Sequence, residues 1–192
     1  MAADARLFVA ITIPDAVREH LGAVVSSLVP RVPDLRWTQP PLWHLTLAFF
    51  GGVPDRRRPD LVERLARVAE RHPSMLLQLR AGGVFGRPDR ASVVWVGVHA
   101  AGALRDLAAA CAAAGRHAGL VMEERPYRAH VTLARARGRT GADARAAVDV
   151  LAGYAGPTWR ATEIVLLHSH LGAQPRYEPV AQWNLGGPDY QA

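Results

Sequence analysis

Apolar positions along this chain recur at two spacings, one suited to strands and one to helices. Leu7 to Ile13 is a short β-rich run closed by Pro14, which is placed to open a helix. Val17, Leu21, Val24, Val25 and Leu28 then follow at helical spacing, and Pro30 and Pro33 end the segment. A short strand is expected around Leu35–Thr38, a turn at Pro40 and Pro41, and an apolar strand over Trp43–Gly52, stopped by Gly51 and Gly52. Leu61, Leu65, Val68 and Ala69 mark a second amphipathic helix. Met75–Arg80 reads as a strand, Gly82–Arg90 as a loop, and Ser92–Val98 as another strand.

The second half of the chain repeats this pattern. An Ala-rich helix is expected over Ala101–His117, a strand over residues 128–137, a turn at Arg137–Gly141 and a short helix over Asp143–Leu151. Closing strands follow near Thr162–His168 and Tyr177–Asn184, and the tail from Gly186 should fray. Alternating strands and helices indicate an α/β or α+β domain with helices laid on sheet faces. Residues 1–185 read as a single domain and residues 186–192 as its tail.

Each half carries one strand of the form His-apolar-Thr-Leu. His44-Leu45-Thr46-Leu47 and His130-Val131-Thr132-Leu133 lie 86 residues apart, as a duplicated unit would place them. Side chains alternate faces along a strand. His44 and Thr46 therefore share one face while Leu45 and Leu47 share the other, and the second motif behaves alike. Two such strands side by side about an approximate two-fold axis would floor a cleft with two imidazoles and two hydroxyls.

That set suits in-line displacement at phosphorus. One neutral imidazole takes a proton from the attacking oxygen, and the opposite imidazolium gives one to the leaving oxygen. Threonine hydroxyls can donate to the non-bridging oxygens, where transition-state charge gathers. A lone His-x-Thr on a strand is usually a surface or satisfied core feature; two copies in corresponding strands outweigh that reading. Zinc is the competing reading for two histidines. Catalytic zinc usually takes three protein ligands, and no His-Glu-x-x-His or Cys-x-x-Cys spacing is present. Neither a metal nor a cofactor is expected in this site.

Composition changes the picture only slightly. With 49% hydrophobic and 21% charged residues, the chain is ordinary for a globular protein. All 23 basic residues are Arg, against 17 acidic ones, for a formal charge of +6. Such a surplus is compatible with an anionic partner, and the guanidinium fork suits phosphate, although a solvated Arg-rich surface would look the same. The single Cys111, among alanines, reads as a small buried residue and a poor nucleophile. Pro14 cuts short the first apolar run, which reads as a strand and not a signal peptide, and no segment is long enough to span a membrane. A cytoplasmic location is expected.

Taken together, the segments RLFVAITIP, LRWTQPPLWHLTLAFFGGVP, VVWVGV, RPYRAHVTLARAR, VLLHSHLG and RYEPVAQW resemble the 2H phosphoesterases, specifically the RNA 2′,3′-cyclic phosphodiesterases first described as 2′-5′ RNA ligases. The likeness covers nearly the whole chain, and the paired His-x-Thr motifs are its most specific part. It implies a bilobal α+β fold in which two largely antiparallel sheets enclose a central cleft with helices on the outer faces. It implies opening of a 2′,3′-cyclic phosphate at an RNA end to leave a 2′-phosphomonoester, with ligation through a 2′-5′ bond as the reverse reaction. His44 then matches the proton donor, His130 the proton acceptor, and Thr46 and Thr132 the phosphate-binding hydroxyls; the polarity comes from the family alone.

Arg135 matches a phosphate-contacting arginine of the family. Its parity turns it away from His130 in an unbroken strand, so either a bulge or the strand end redirects it, or it is a surface residue. Phe8, Trp43 and Tyr127 are candidates for stacking on a base, with core packing as the alternative. His168 and His170 share one face at a strand end, to line the cleft or a solvated edge. Arg87, Arg90, Arg137 and Arg139 are candidate backbone contacts. Trp43 and Pro41 depart from the smaller polar residues commoner before the first motif. Two other functions stay open: the same chemistry on another small cyclic phosphodiester, and an RNA-binding module without catalysis. A monomer is expected, since a bilobal cleft needs no partner to complete it.

Overall fold

The computed structural model describes residues 4–100, 103–172 and 175–186. Nine strands and four α-helices account for most of them: β1 (Ala5–Thr12), α1 (Asp15–Leu28), β2 (Leu35–Trp37), β3 (His44–Val53), α2 (Arg58–Arg71), β4 (Met75–Arg87), β5 (Arg90–Ala100), α3 (Ala103–His117), β6 (His130–Ala136), α4 (Arg145–Ala152), β7 (Ala155–Ala161), β8 (Glu163–His170) and β9 (Arg176–Asn184). The fold is α+β, as the family resemblance implied where the pattern alone left α/β open. The two expected sheets are joined into one, in the order β7-β4-β5-β6-β3-β1-β8-β9, with β2 beside β6. All pairings are antiparallel.

The joint is narrow. β3 and β6 pair at one position, Leu45 opposite Val131. Each strand has only just begun there, and the two run away from each other. Beyond the joint β6 exchanges its partner for β2, with Trp37 opposite Ala134. On one side of the joint lie β6, β5, β4 and β7; on the other lie β3, β1, β8 and β9. The division does not follow the middle of the chain, because the β8–β9 hairpin returns from the C-terminal end to flank β1.

The helices cover one face of this sheet. α1 buries Val17, Leu21, Val25 and Leu28, α2 buries Leu61, Leu65 and Ala69, and α3 buries Leu104, Leu107, Ala108, Cys111 and Ala114. They meet the alternate strand residues Leu7, Val9 and Ile11 of β1 and Leu45 and Leu47 of β3 in one core. The opposite face of β1 presents Phe8 and Ala10, which join Val165, Leu167 and Tyr177 in a small separate cluster. No helix among the described residues is long and apolar enough to cross a membrane.

Two stretches differ from the pattern-based expectation. Gly82–Arg90 is not a loop: β4 continues to Arg87 and turns back directly into β5. Its glycines are there for space. A Cβ on Gly82 would come within 2.4 Å of the Leu151 Cβ, and one on Gly83 within 2.6 Å of the Trp95 ring. The irregularity they create is a register shift between Leu79 and Gly82, with Ala81 held at φ 52°. The second stretch is β7, unforeseen because Gly156-Pro157 reads as punctuation; Pro is tolerated here because β7 is an edge strand. Ala101, Gly102 and the tail from residue 187 lie outside the described residues.

Leu45 has no exposed surface and sits at the only β3–β6 pair. Leu45→Ala should lower stability by about 2–5 kcal/mol in denaturant unfolding. A loss under about 1 kcal/mol would mean that this joint is not packed as a core.

Candidate active site

The first residues of β3 and β6 meet at the joint, and this brings the two His-x-Thr motifs together. Leu45 and Val131 are fully buried against the helices, so His44, Thr46, His130 and Thr132 stand on the opposite, open face, each half-buried. Because the pairing is antiparallel and centred on Leu45–Val131, each histidine faces the threonine of the other strand. The two histidines occupy diagonal positions, which in a regular antiparallel pair lie about 7–8 Å apart. The rings are near enough for His130 to act electrostatically on His44.

Both rings are fixed in the same way. His44 Nδ1 donates to the Leu42 carbonyl at 2.8 Å, and His130 Nδ1 donates to the Arg128 carbonyl at 2.7 Å. A carbonyl can only accept, so each Nδ1 carries a hydrogen and each neutral ring leaves its Nε2 lone pair free. The Leu42 carbonyl is itself held by a short 3₁₀ turn, Pro40–Leu42, pinned where the Trp43 indole donates to Thr38 O at 3.0 Å.

Aromatic rings buttress each imidazole. Phe8 lies 4.8 Å and Tyr177 5.0 Å from His44, centroid to centroid. Phe85 lies 5.0 Å and Trp95 6.3 Å from His130, and the Arg128 guanidinium stands over both of those rings at 5.8 and 5.4 Å. These rings bury part of each imidazole. Burial lowers the pKa of both histidines, and the positive charge of Arg135 lowers both further, with His130 also acting on His44. The hydrogen bonds to Leu42 and Arg128 partly oppose the drop. In the free protein both imidazoles are therefore biased towards neutrality.

Arg135 reaches the cleft because β6 bulges. Val94 pairs with Ala134 and Trp95 with Thr132, which leaves Leu133 as an extra residue; Leu133 and Ala134 are both buried in succession. The alternation slips by one and Arg135 emerges on the face of His130. The same slip occurs in β3, where Val9 pairs with Ala48 and Ala10 with Thr46, skipping Leu47. Phe49 thus occupies the position that Arg135 holds in β6, and the Arg6 guanidinium lies 4.4 Å over the Phe49 ring. Both Arg6 and Arg135 act electrostatically on Tyr177.

The other sequence candidates fall elsewhere. Phe8 is on the cleft face but only 3% exposed beneath His44, and Trp43, also 3% exposed, points into the helix-side core. Tyr127 donates to Thr46 O at 3.2 Å and packs on the main core, with its phenol pKa pushed up by burial. All three support the strands and none is free to stack on a base. His168 is opposite Leu7, a residue of the helix-side core, so His168 and His170 face away from the cleft. Arg87, Arg90 and Arg139 are exposed and Arg137 is tied to Pro33 O at 3.3 Å. Burial pushes the Cys111 thiol up to about 12, leaving it inert. The residues that pattern reading missed are Tyr177, Phe85, Trp95, Arg128 and Arg6; they converge only through the long-range strand order.

The chain is similar to several known proteins. A family model described as the 2′-5′ RNA ligase superfamily matches residues 33–173. The RNA 2′,3′-cyclic phosphodiesterase of Geobacillus stearothermophilus is 28% identical over 184 residues, 95% of this chain; the chain spans 58% of that relative's length. A crystal structure of a phosphoesterase is 29% identical with a TM-score of 0.77, covering 95% of this chain and 98% of that one. The crystal structure of E. coli LigT complexed with 3′-AMP is 28% identical with a TM-score of 0.75, covering 95% of this chain and 98% of that one.

In phosphate-free buffer, NMR titration of the ring protons should find His44 and His130 both titrating below 6.5, because burial penalises the imidazolium. Added inorganic phosphate should move both upwards, since an anion between them stabilises the charged form. Unchanged values on saturation with phosphate would separate the histidines from the anion site.

Proposed function

The chain belongs to the 2′-5′ RNA ligase superfamily, and from that premise we propose that it is an RNA 2′,3′-cyclic phosphodiesterase working by two-histidine acid–base catalysis without a metal. The observation that carries this reading is the matched pair of imidazoles, each with Nδ1 committed to a carbonyl and Nε2 free, across one joint of the sheet.

The cyclic phosphate sits between the two rings. His130 Nε2 takes a proton from a water molecule as that water forms a bond to phosphorus. The P–O3′ bond breaks in line, and His44 Nε2–H protonates the departing O3′, leaving the phosphate on O2′. Thr46 and Thr132 donate to the non-bridging oxygens; among the described residues neither hydroxyl is taken up by another hydrogen bond. Arg135, which acts electrostatically on both histidines, supplies positive charge, with Arg128 beside His130 and Arg6 on the β1 side. The substrate anion offsets the burial penalty on His44, so binding itself favours the imidazolium that the acid role needs. The polarity of acid and base rests on the family resemblance, because the two rings are nearly equivalent. Running the steps backwards joins ends through a 2′-5′ bond.

Both His-x-Thr motifs of the cleft lie on one chain, so the proposed reaction needs no second copy; a monomer is proposed, with residues 1–185 as one bilobal unit and RNA ends in the cytoplasm as the proposed substrate. Other small cyclic phosphodiesters would meet the same groups. A substrate panel separates them.

Phosphorus NMR of a 2′,3′-cyclic nucleotide or oligonucleotide with chelator present should show conversion to the 2′-phosphate. His44→Ala and His130→Ala should each cost on the order of 10²–10⁴-fold in rate. A 3′-phosphate product, turnover that stops in chelator, or a near-normal rate in either variant would overturn the mechanism.

The profile of kcat/KM against pH should be bell-shaped, since it reports the free enzyme. His130 must be neutral, which sets the acidic limb, and His44 must be protonated, which sets the basic limb. With both pKa values lowered, the maximum should lie on the acid side of 6.5; a maximum well above 7 would contradict these assignments.

A further inference from the structure

The face of the β8–β9 hairpin turned away from the candidate active site carries a second group of chemically capable side chains. His168 and His170 are two residues apart on β8, and Glu178 of β9 stands directly across from His168. Strand alternation puts all three on one face. One ligand atom from each lies within 4.8 Å of the others. The two imidazole rings are 4.0 Å apart, tilted by 43°, and His170 Nε2 meets Glu178 Oε2 at 2.9 Å.

We propose that His168, His170 and Glu178 form a site for a divalent transition metal such as Zn²⁺, separate from the phosphodiester chemistry. Two imidazoles and one carboxylate with an open fourth position are a donor set that zinc accepts, whereas magnesium and calcium prefer oxygen alone. Zinc–ligand bonds of about 2.0–2.2 Å set tetrahedral neighbours about 3.4 Å apart. Small side-chain rotations on a fixed hairpin close the present spacing to that value. The β8–β9 ladder already orders the backbone at all three positions, so only side-chain freedom is lost on binding.

The surroundings set the strength of the site. Arg58 and Arg176 act electrostatically on His168 and oppose a dication, while Glu178 contributes the compensating charge. Affinity in the micromolar range is the consequence, well short of a buried structural zinc. The metal would clamp β8 to β9 at the connected end of the hairpin. Tyr177, next to Glu178 in the chain, faces the other side and packs on His44 at 5.0 Å. Zinc would thus stiffen the wall behind one imidazole without touching substrate.

Tag-free full-length protein in phosphate-free buffer near pH 7, titrated calorimetrically with zinc chloride, tests the site. Wild type should take up one equivalent with micromolar affinity and unfold a few degrees later. The H168A/H170A double variant should lose at least tenfold in affinity along with the thermal shift. Glu178→Gln keeps a hydrogen-bond acceptor for His170 but no charge, so it should weaken zinc binding while melting like zinc-free wild type. The H44A/H130A double variant should bind zinc as wild type does. No saturable binding by wild type would overturn the proposal. So would affinity unchanged in H168A/H170A, or affinity lost in H44A/H130A instead.

Discussion

The contact between Leu45 and Val131 is the constraint on which the rest of the molecule depends. Two strands that begin at one point and run apart can share only their first residues. Burying the apolar member of each pair against the helices leaves its polar neighbours no direction except the open face. The separation of the two imidazoles is then a property of sheet geometry and not of flexible loops, and it is held by the whole helix-side core. Catalytic groups placed on strands in this way need little reorganisation before a reaction.

Position alone would not make the rings useful. An imidazole on a strand can present either nitrogen, and only one choice leaves a free Nε2. The carbonyls of Leu42 and Arg128 make that choice, each two residues before the histidine it holds. The aromatic pairs around them partly bury both rings, and that burial biases them towards neutrality. The price of that environment is that the acid form is disfavoured in the free protein. In the proposed reaction a phosphate anion would reverse the bias, so the groups proposed to bind the substrate would also prepare the proton donor.

Much of this was legible in the chain. The two His-x-Thr motifs, their apolar partners and the alternation of strands and helices rest on local periodicity, and the structure contains each of them. Arg135 shows where periodicity stops being enough. Its parity conflicts with its position, and a bulge at Leu133 resolves the conflict; only the pairing partner reveals which residue is skipped. Gly82 and Gly83 looked like a break because the atoms that require them, on Leu151 and Trp95, are distant in sequence. His168 and His170 share a face as their spacing required, but which face was decided by Leu7 across the ladder. Each miss is a long-range contact that no single window contains.

The bulge recurs in β3 with a different outcome. There the slipped position holds Phe49, and the cation arrives from the neighbouring strand as Arg6 lying over that ring. The β6 side of the cleft therefore carries a guanidinium at the slipped position of the histidine strand as well as Arg128 over Phe85 and Trp95, whereas the β3 side carries Arg6 over Phe49 from the neighbouring strand. An aromatic face lets the guanidinium keep a fixed height while its N–H fork stays free for an anion. The two sides are alike at the imidazoles and unlike beyond them. A nucleotide is equally lopsided, with phosphate at the centre and sugar and base to one side. In the proposed reaction the arginines, which differ between the two sides where the histidines do not, are the groups that would orient such a substrate.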